Sequence, residues 1–200
     1  TLSQLFNLIW FCRRTQIPFE VFAFSDCRGL FPNYYDLSDD EKYKHFKSGD
    51  IVLKKFKLLE FFSSKMSVKQ EVEMMEILWM ISKYYGRYNA EEGVAIRYPE
   101  FLNLGGTPLN DSIVAMMEIV PKFKRETGVQ KVNTIFLTDG VSNAISGVYD
   151  YRLDKNTGEH YKTISSLHHF NITISDPKTL KTYDVDYNDI TDGLLRILKD

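Results

Sequence analysis

Two short motifs carry the side chains whose types and spacing could do chemistry. One is the turn Gly105-Gly106-Thr107-Pro108, which leads into a helical pattern, and the other is Asp139-Gly140, which follows an apolar segment. In an open parallel sheet, ligands bind outside the carboxyl ends of the strands, where such motifs converge. A threonine hydroxyl and an aspartate carboxylate are oxygen ligands of the kind that hard cations prefer. The sequence therefore predicts a site for Mg²⁺, or another divalent cation, with Thr107 and Asp139 as ligands.

Each of these two residues also has a purely structural interpretation. Thr107 precedes a proline that suits the first helical position, and a threonine there commonly caps the helix. An Asp-Gly pair after a strand, as at Asp139, commonly forms a turn. Both interpretations stay open for each residue taken alone, and the metal site follows only from the convergence of the two.

The segments that flank the motifs predict the elements that would position them. Residues 109–123 carry apolar side chains at helical spacing, and Gly128 suits the end of this helix. Pro121 removes a backbone donor, so it predicts a kink or an early end near Val120. Residues 132–138 form a near-continuous apolar run, typical of a strand buried on both faces of a parallel sheet. Strand, helix and strand in this order predict an α/β fold with a doubly wound, mostly parallel sheet.

Other patterns add an inserted helical segment and late hairpins to this fold. An apolar run predicts a strand at 18–25. Helical periodicity predicts three further helices, at 2–12, 67–85 and 189–198. Ser38 and Glu41 have the spacing of a capping box and predict a short helix after them. Residues 51–62 fit either a strand or a helix. Turn residues at 156–158 and 176–179 predict two hairpins.

The two motifs together resemble those of von Willebrand factor A-type domains, which carry a metal-ion-dependent adhesion site. In that family a GGT-like turn supplies a threonine ligand, and an apolar strand that ends in TDG supplies an aspartate ligand. Here the matching sequences are LGGTPL, which contains Thr107, and TIFLTDG, which contains Asp139. The resemblance thus implies the same Rossmann-like sheet and the same two metal ligands that the residues themselves predict.

The resemblance also implies how the chain is organised. It covers about residues 1–145, within a single domain that spans 1–200. A long insertion would occupy about 27–100, and a family-specific hairpin elaboration about 147–187. We therefore expect one domain without linkers or internal repeats.

The third ligand element of the family, Asp-x-Ser-x-Ser after the first strand, does not occur in the sequence. The near match at 36–40 follows no apolar strand, and the capping box explains Ser38 there. The opening helix corresponds to the first helix of the family. We therefore expect the motif and its strand just upstream of Thr1, which makes the domain incomplete at its N-terminus.

Within the family, the long insertion and the late hairpins look similar to intracellular domains of the cobaltochelatase CobT type. Such proteins are implied to work beside MoxR-type AAA+ ATPases, and related reading frames occur in bacteriophages. The resemblance implies a non-catalytic adaptor subunit in a chelatase-like or remodelling complex. A metal with one open coordination position would accept an acidic side chain of a protein partner.

Composition narrows the classes of protein further. The chain has 25 Lys+Arg against 27 Asp+Glu, a net charge of −2, and it lacks the basic stripe of a nucleic-acid binder. It contains no apolar run of the length of a membrane span, and its opening segment does not have the charge order of a secretory signal. Two cysteines, Cys12 and Cys27, form no disulfide framework. These features predict a cytoplasmic protein that binds neither nucleic acid nor membranes.

Two other functions stay open. Asp26 ends a predicted strand, so with Asp139 it could form a metal-assisted hydrolase or phosphotransfer site. Alternatively the domain is structural and its metal site vestigial. The adjacent His168 and His169 would point to opposite faces of a strand, which argues against a shared metal.

Overall fold

The structure is a computed structural model of the 200-residue chain. It describes residues 2–26, 45–53, 56–84, 102, 104–138, 140–143, 145, 147–165, 171–176, 178–186 and 189–199. Within these residues the helices are α1 (Leu2–Arg14), α2 (Val68–Tyr84), α3 (Leu109–Thr127) and α4 (Ile190–Lys199). The strands are β1 (Glu20–Ser25), β2 (Lys57–Ser63), β3 (Val148–Leu153), β4 (His160–Ser165), β5 (Asn171–Ser175) and β6 (Thr182–Asp186).

The chain divides into two compact units, of which unit 1 comprises Thr1–Ala23 and Leu58–Leu104. The periodic apolar residues of α1 and α2 meet those of β2 in one core, as their spacing predicts. Its buried side chains are Ile9, Phe61, Phe62, Met75, Leu78 and Leu102. The rings of Phe6 and Phe62 meet edge to face, with their centroids 6.3 Å apart.

A polar cluster around Arg13 ties α1 to the turn that follows β2 in unit 1. Arg13 Nε donates to Glu71 Oε2 at 2.6 Å, and the Glu71 side chain is buried. The other guanidinium nitrogens donate to the carbonyl oxygens of Ser63, Ser64 and Met66 at 3.2, 2.8 and 2.6 Å. These five residues are called the Arg13 cluster below. Because each nitrogen of this half-buried guanidinium bonds to a protein oxygen, we expect the cluster to stabilise the fold.

Unit 2 comprises Phe24–Lys57 and Gly105–Asp200. Its core lies between α3, α4 and the second hairpin, and its buried apolar side chains are Ile113, Ile145, Ile174, Ile190, Leu194 and Ile197. Gly193 allows α4 to approach β6, because a Cβ at this position would lie 2.7 Å from Val185 Cγ1. The hairpin is thereby packed directly on the helix.

Both predicted late hairpins are confirmed. The antiparallel pair of β3 and β4 runs from Val148 opposite Ser165 to Leu153 opposite His160. The antiparallel pair of β5 and β6 runs from Asn171 opposite Asp186 to Ser175 opposite Thr182. Gly158 in the first turn has φ +73°, a left-handed conformation that glycine adopts without a steric penalty.

The predicted doubly wound, mostly parallel sheet is wrong. The described strands form only two-stranded sheets, β1 with β2, β3 with β4 and β5 with β6. Ser64 N–H donates to Phe19 O at 2.8 Å, which joins the end of β2 to the start of β1 as in an antiparallel pair. A hairpin strand finds its partner a few residues away, whereas a parallel strand needs a distant one.

The segment Val132–Thr138 is the clearest departure from the predicted sheet. The apolar run predicts a strand buried on both faces, yet it lies in no strand, and Ile135 and Leu137 are 61% and 48% exposed. The composition of the segment favours a strand, but β structure also requires a hydrogen-bonded neighbour. No such neighbour accompanies it in the part of the chain that the structure describes.

The helix predictions are confirmed with small changes of boundary. α3 continues through Pro121 to Thr127, so the prediction of an early end near Val120 is wrong. Gly128 ends the helix in the left-handed conformation, and its N–H donates to Lys124 O. The ambiguous segment 51–62 contributes a strand that begins at Lys57.

Three expectations fall on residues outside those that the structure describes. They are the capping box of Ser38 and Glu41, the histidine pair at 168–169 and the position of Asp139 itself. None of the described helices is long and apolar enough to cross a membrane.

Candidate functional site

The end of β1 and the glycine turn before α3 meet in unit 2 through a set of polar contacts. Asp26 N–H donates to Gly105 O at 3.2 Å. The buried Ser25 hydroxyl donates to the same carbonyl at 3.0 Å and accepts from Gly105 N–H at 3.1 Å. These bonds fix the residue after β1 beside the Gly-Gly-Thr-Pro turn. Thus Asp26, a candidate of the hydrolase hypothesis, lies next to the turn that carries Thr107.

Gly106 explains why this turn needs a glycine. Its φ of +67° is rarely adopted by residues with a side chain, and a Cβ here would overlap the Asp26 carboxylate. The missing side chain therefore leaves the space that the carboxylate occupies. The glycine is both a turn residue and a determinant of where Asp26 lies.

Thr107 does not cap α3, so the structural interpretation of this residue is wrong. The N-cap is Pro108, with φ −77° and ψ 57°, and no side-chain hydrogen bond caps the helix from that position. Thr107 is half-buried, and its carbonyl, not its hydroxyl, accepts the N–H of Leu109 at 2.8 Å. Its hydroxyl is therefore not committed to the helix end.

The Thr107 hydroxyl faces the turn that follows the segment Val132–Thr138. A Cβ on Gly140 would lie 3.5 Å from Thr107 Oγ1, an ordinary van der Waals contact. Asp139 lies outside the described residues, and its neighbour Gly140 lies close enough that an added Cβ would touch the Thr107 hydroxyl. The predicted convergence of Thr107 with Asp139 itself stays a prediction.

Asn143 joins the two sides of the site. Its Nδ2 donates to Asp26 Oδ2 at 3.0 Å, and its backbone N–H donates to Thr107 O at 2.8 Å. Asp26 and Asn143 are 117 residues apart in the sequence. The four residues Asp26, Thr107, Ser142 and Asn143 are called the oxygen cluster below.

Ser142, and not Thr107, provides the side-chain oxygen that accepts a backbone N–H at the start of α3. Its Oγ accepts the backbone N–H of Asn110 at 2.9 Å and donates to Asn143 O at 2.9 Å. The buried Asn110 side chain in turn accepts from Thr191 Oγ1 at 2.6 Å. This chain of bonds anchors the loop 140–143 on α3 and α4.

Sequence reasoning missed the roles of Ser142 and Asn143. Both residues are far from Thr107 in the sequence, so their contacts with the start of α3 could not be predicted from local patterns. The available signal was their position three and four residues after Asp139, at the same predicted sheet edge as Thr107. Polar side chains at such an edge are candidates for holding a ligand loop in place.

The donor set of the oxygen cluster fits a hard divalent cation. It offers a carboxylate from Asp26 and a hydroxyl from Thr107, with Asp139 adjoining in sequence. Mg²⁺ typically takes one or two carboxylates and keeps several waters, so a small oxygen set suffices. Among the described residues no three His, Cys, Asp or Glu side chains are grouped to hold a metal.

The environment of Cys12 disfavours the reactive thiolate form. Burial within unit 1 raises the pKa of its thiol above the ordinary value, because a thiolate is poorly solvated there. The thiol therefore stays protonated at neutral pH, and the protonated form is a weak nucleophile.

The chain matches no family model, and no curated protein or solved structure matches it.

Proposed function

We propose that this protein is a binding module that uses a divalent cation, Mg²⁺ or a similar ion, to hold an acidic group of a protein partner. The ligands from the chain are Thr107 and Asp139. One observation carries the proposal: the Thr107 hydroxyl does not cap α3, and it lies so near Gly140, the residue after Asp139, that a Cβ added there would be 3.5 Å from Oγ1. The carboxylate of Asp26 lies in the same cluster and adds negative charge that attracts a cation.

The residues around the ligands hold the loops in place. Asn143 bonds both Asp26 and the Thr107 carbonyl, and Ser142 bonds the start of α3. Gly106 leaves room for the Asp26 carboxylate. Such fixed loops reduce the conformational entropy that binding must overcome. The bound cation would supply a positive charge with an open coordination position for an incoming carboxylate.

The partner in this proposal is a protein that presents an aspartate or glutamate. The resemblance to CobT-type domains favours a MoxR-type AAA+ ATPase, with this chain as an adaptor that performs no chemistry alone.

Isothermal titration of the chain with Mg²⁺, and separately with Mn²⁺, tests the metal site. We expect one ion per chain, and we expect Thr107→Val and Asp139→Asn to weaken binding beyond the roughly 10–100-fold that outer-shell changes cause. Thr134→Val is the matched control, because Thr134 is exposed and lies outside the oxygen cluster. Equal affinity in the wild type and both site variants would contradict the proposal.

A polyglutamate peptide tests the second part of the proposal, with polyglutamine as the uncharged control. The peptide should bind the wild-type chain with Mg²⁺ present, and EDTA or Thr107→Val should abolish that binding. Polyglutamate binding that persists in EDTA would show simple charge attraction and would overturn the metal-dependent mechanism.

A turnover assay separates the binding module from the hydrolase hypothesis. With Mg²⁺ and p-nitrophenyl phosphate we expect no turnover above that of buffer, because binding alone requires no positioned general base. Turnover that Asp26→Asn removes would favour a metal-assisted hydrolase. Intact folding without any metal binding would favour a vestigial site.

A further inference from the structure

Lys57, the first residue of β2, is buried although its side chain carries a charge. It is 7% exposed, whereas every other lysine that the structure describes is exposed. A lysine ammonium has three N–H donors, and burial without acceptors for them is costly. Lys57 Nζ is shielded from solvent, and in the described part of the chain no acceptor forms a hydrogen bond with it. Buried polar groups without partners are uncommon, so this one points to a role other than stability.

The pairing of the first two strands places Lys57 at the end of β1. β1 and β2 form one two-stranded sheet. The bond from Ser64 N–H to Phe19 O joins the end of β2 to the start of β1, so the strands run in opposite directions. The start of β2, at Lys57, therefore lies beside the end of β1, at Ser25. Neighbouring strands are about 5 Å apart, which brings Lys57 next to the residues that end β1.

The residues at this end of β1 belong to the surroundings of the proposed metal site. The Ser25 hydroxyl bonds both backbone groups of Gly105, and the Asp26 carboxylate fills the space that a Cβ on Gly106 would need. Lys57, Ser25 and Asp26 all belong to unit 2. Lys57 thus places a positive charge beside the oxygen cluster.

Asp26 and Lys57 act on a cation in opposite directions. The carboxylate attracts the cation and the ammonium repels it, so the pair carries no net charge. The charge of the ligands sets how tightly a site holds a hard cation. For an incoming carboxylate the signs are reversed, because a bound cation and the ammonium both attract it. The positive charge of Lys57 therefore disfavours one ligand and favours the other.

We propose that Lys57 is a specificity-determining residue of this site, which weakens cation binding by the chain alone and strengthens binding of the partner's acidic group. The inference rests on the proposed function and adds to it the relative affinities of the two ligands. The chain alone holds the cation loosely, and the ion stays bound mainly when the acidic group is present. A role in stability alone would not move the two affinities in opposite directions.

Isothermal titrations of Lys57→Met with Mn²⁺, and then with polyglutamate at saturating Mn²⁺, test the proposal. The variant removes the charge and keeps an unbranched side chain. We expect Mn²⁺ to bind at least about threefold more tightly and polyglutamate at least about threefold more weakly, because charges separated by several ångströms interact even through water. Lys57→Arg keeps the charge and should behave as the wild type does. Lys155→Met is the matched control, because it removes an exposed charge elsewhere in unit 2.

Lys57→Gln is a second neutral variant and should show the same opposite changes, and urea denaturation checks that each variant is folded. Replacement of a buried charge by an uncharged side chain commonly leaves a fold intact. Neutral variants that leave both affinities unchanged, or that weaken both, would overturn this inference alone, and so would a Lys57→Arg chain that behaves like Lys57→Met. A wild type that binds no Mn²⁺ would overturn the proposed function and this inference with it.

Discussion

Two polar clusters among the described residues differ in the partners that their side chains bond. In the Arg13 cluster of unit 1, guanidinium nitrogens donate to the Glu71 carboxylate and to three carbonyl oxygens. In the oxygen cluster of unit 2, Asn143 and Ser142 bond the surrounding backbone, while the Thr107 hydroxyl does not cap its helix. A guanidinium whose nitrogens all bond to the protein stabilises the fold, whereas a hydroxyl that does not serve its helix end is a candidate ligand for a cation.

This difference separates stability from binding. Substitutions in the Arg13 cluster should change the free energy of unfolding and leave metal affinity unchanged. Substitutions of Asp26 or Thr107 in the oxygen cluster should weaken metal binding more than they lower the free energy of unfolding. Four predictions follow, ordered from the largest expected effect to the smallest. The first two test this separation directly, and the last two concern contacts elsewhere in unit 2.

Loss of the Arg13 guanidinium should have the largest effect. Arg13→Met leaves the buried Glu71 carboxylate without its cation, and breaking such a pair lowers the free energy of unfolding by about 3 kcal/mol or more. Urea denaturation measures this loss. Arg14→Met is the control on the same helix, because Arg14 is exposed and surface changes stay within about 0.5 kcal/mol. Equal losses in the two variants would show that the Arg13 cluster contributes no special stability.

A side chain at Gly106 should impair metal binding more than it impairs the fold. Gly106→Ala places a Cβ on the Asp26 carboxylate and displaces it, so we expect affinity for Mn²⁺ to fall about 10–100-fold. Gly158→Ala is a sharp control, since Gly158 has a similar φ of +73° but nothing within 4 Å of its Cβ. Both variants carry backbone strain of about 1–2 kcal/mol, and only the first should bind Mn²⁺ weakly.

Gly193→Ala should reduce stability although alanine is the better helix former. The substitution gains about 1 kcal/mol in helix propensity, but its Cβ meets Val185 Cγ1 at 2.7 Å, and overpacking costs about 1–3 kcal/mol. The net loss should be about 1 kcal/mol in urea denaturation. In a double-mutant cycle with Val185→Ala the loss should shrink or reverse. An unchanged loss in that background would rule out the steric contact as its cause.

The smallest effect concerns pH and the first hairpin. Hydrogen bonds from Arg152, from the Ser48 hydroxyl and from Tyr151 N–H hold the pKa of Asp150 below its ordinary value. Because the pKa of Asp150 is lower in the folded state, its carboxylate stabilises the hairpin at any pH above the ordinary pKa. This stabilisation is lost as the pH falls through the lowered, folded-state pKa. A carboxyl NMR titration should show the pKa rising in Arg152→Met and unchanged in Lys155→Met. Equal values in the wild type and Arg152→Met would contradict this assignment.

The helices and hairpins of this fold could be predicted from the sequence because the residues that determine them lie within a few positions of each other. The periodicity before Arg14, the proline and glycine around α3, and the turns at 156–158 and 176–179 each act within a few residues. The sheet could not be predicted in this way. The apolar run at 132–138 has the composition of a buried strand, but strand pairing depends on a partner from elsewhere, and none of the described residues provides one.

The candidate site shows the same division. Thr107 could be found because its Gly-Gly-Thr-Pro context is contiguous, although its alternative role as a helix cap proved wrong. The contact of Asp26 with Asn143 joins residues 117 positions apart, and only the tertiary structure reveals it. The need for glycine at 106 is likewise set by the carboxylate of Asp26, which is 80 positions earlier in the chain.

Paramagnetic broadening by Mn²⁺ tests the central claim most directly, because it locates the ion on the molecule. In ¹⁵N–¹H spectra of the chain, substoichiometric Mn²⁺ should first broaden the amide signals of Asp26, Gly106, Thr107, Gly140 and Asn143. Signals of the Arg13 cluster should stay sharp, and Thr107→Val should remove the effect. Broadening centred on another acidic surface, or broadening at the oxygen cluster that Thr107→Val and Asp139→Asn leave unchanged, would contradict a metal site at these residues.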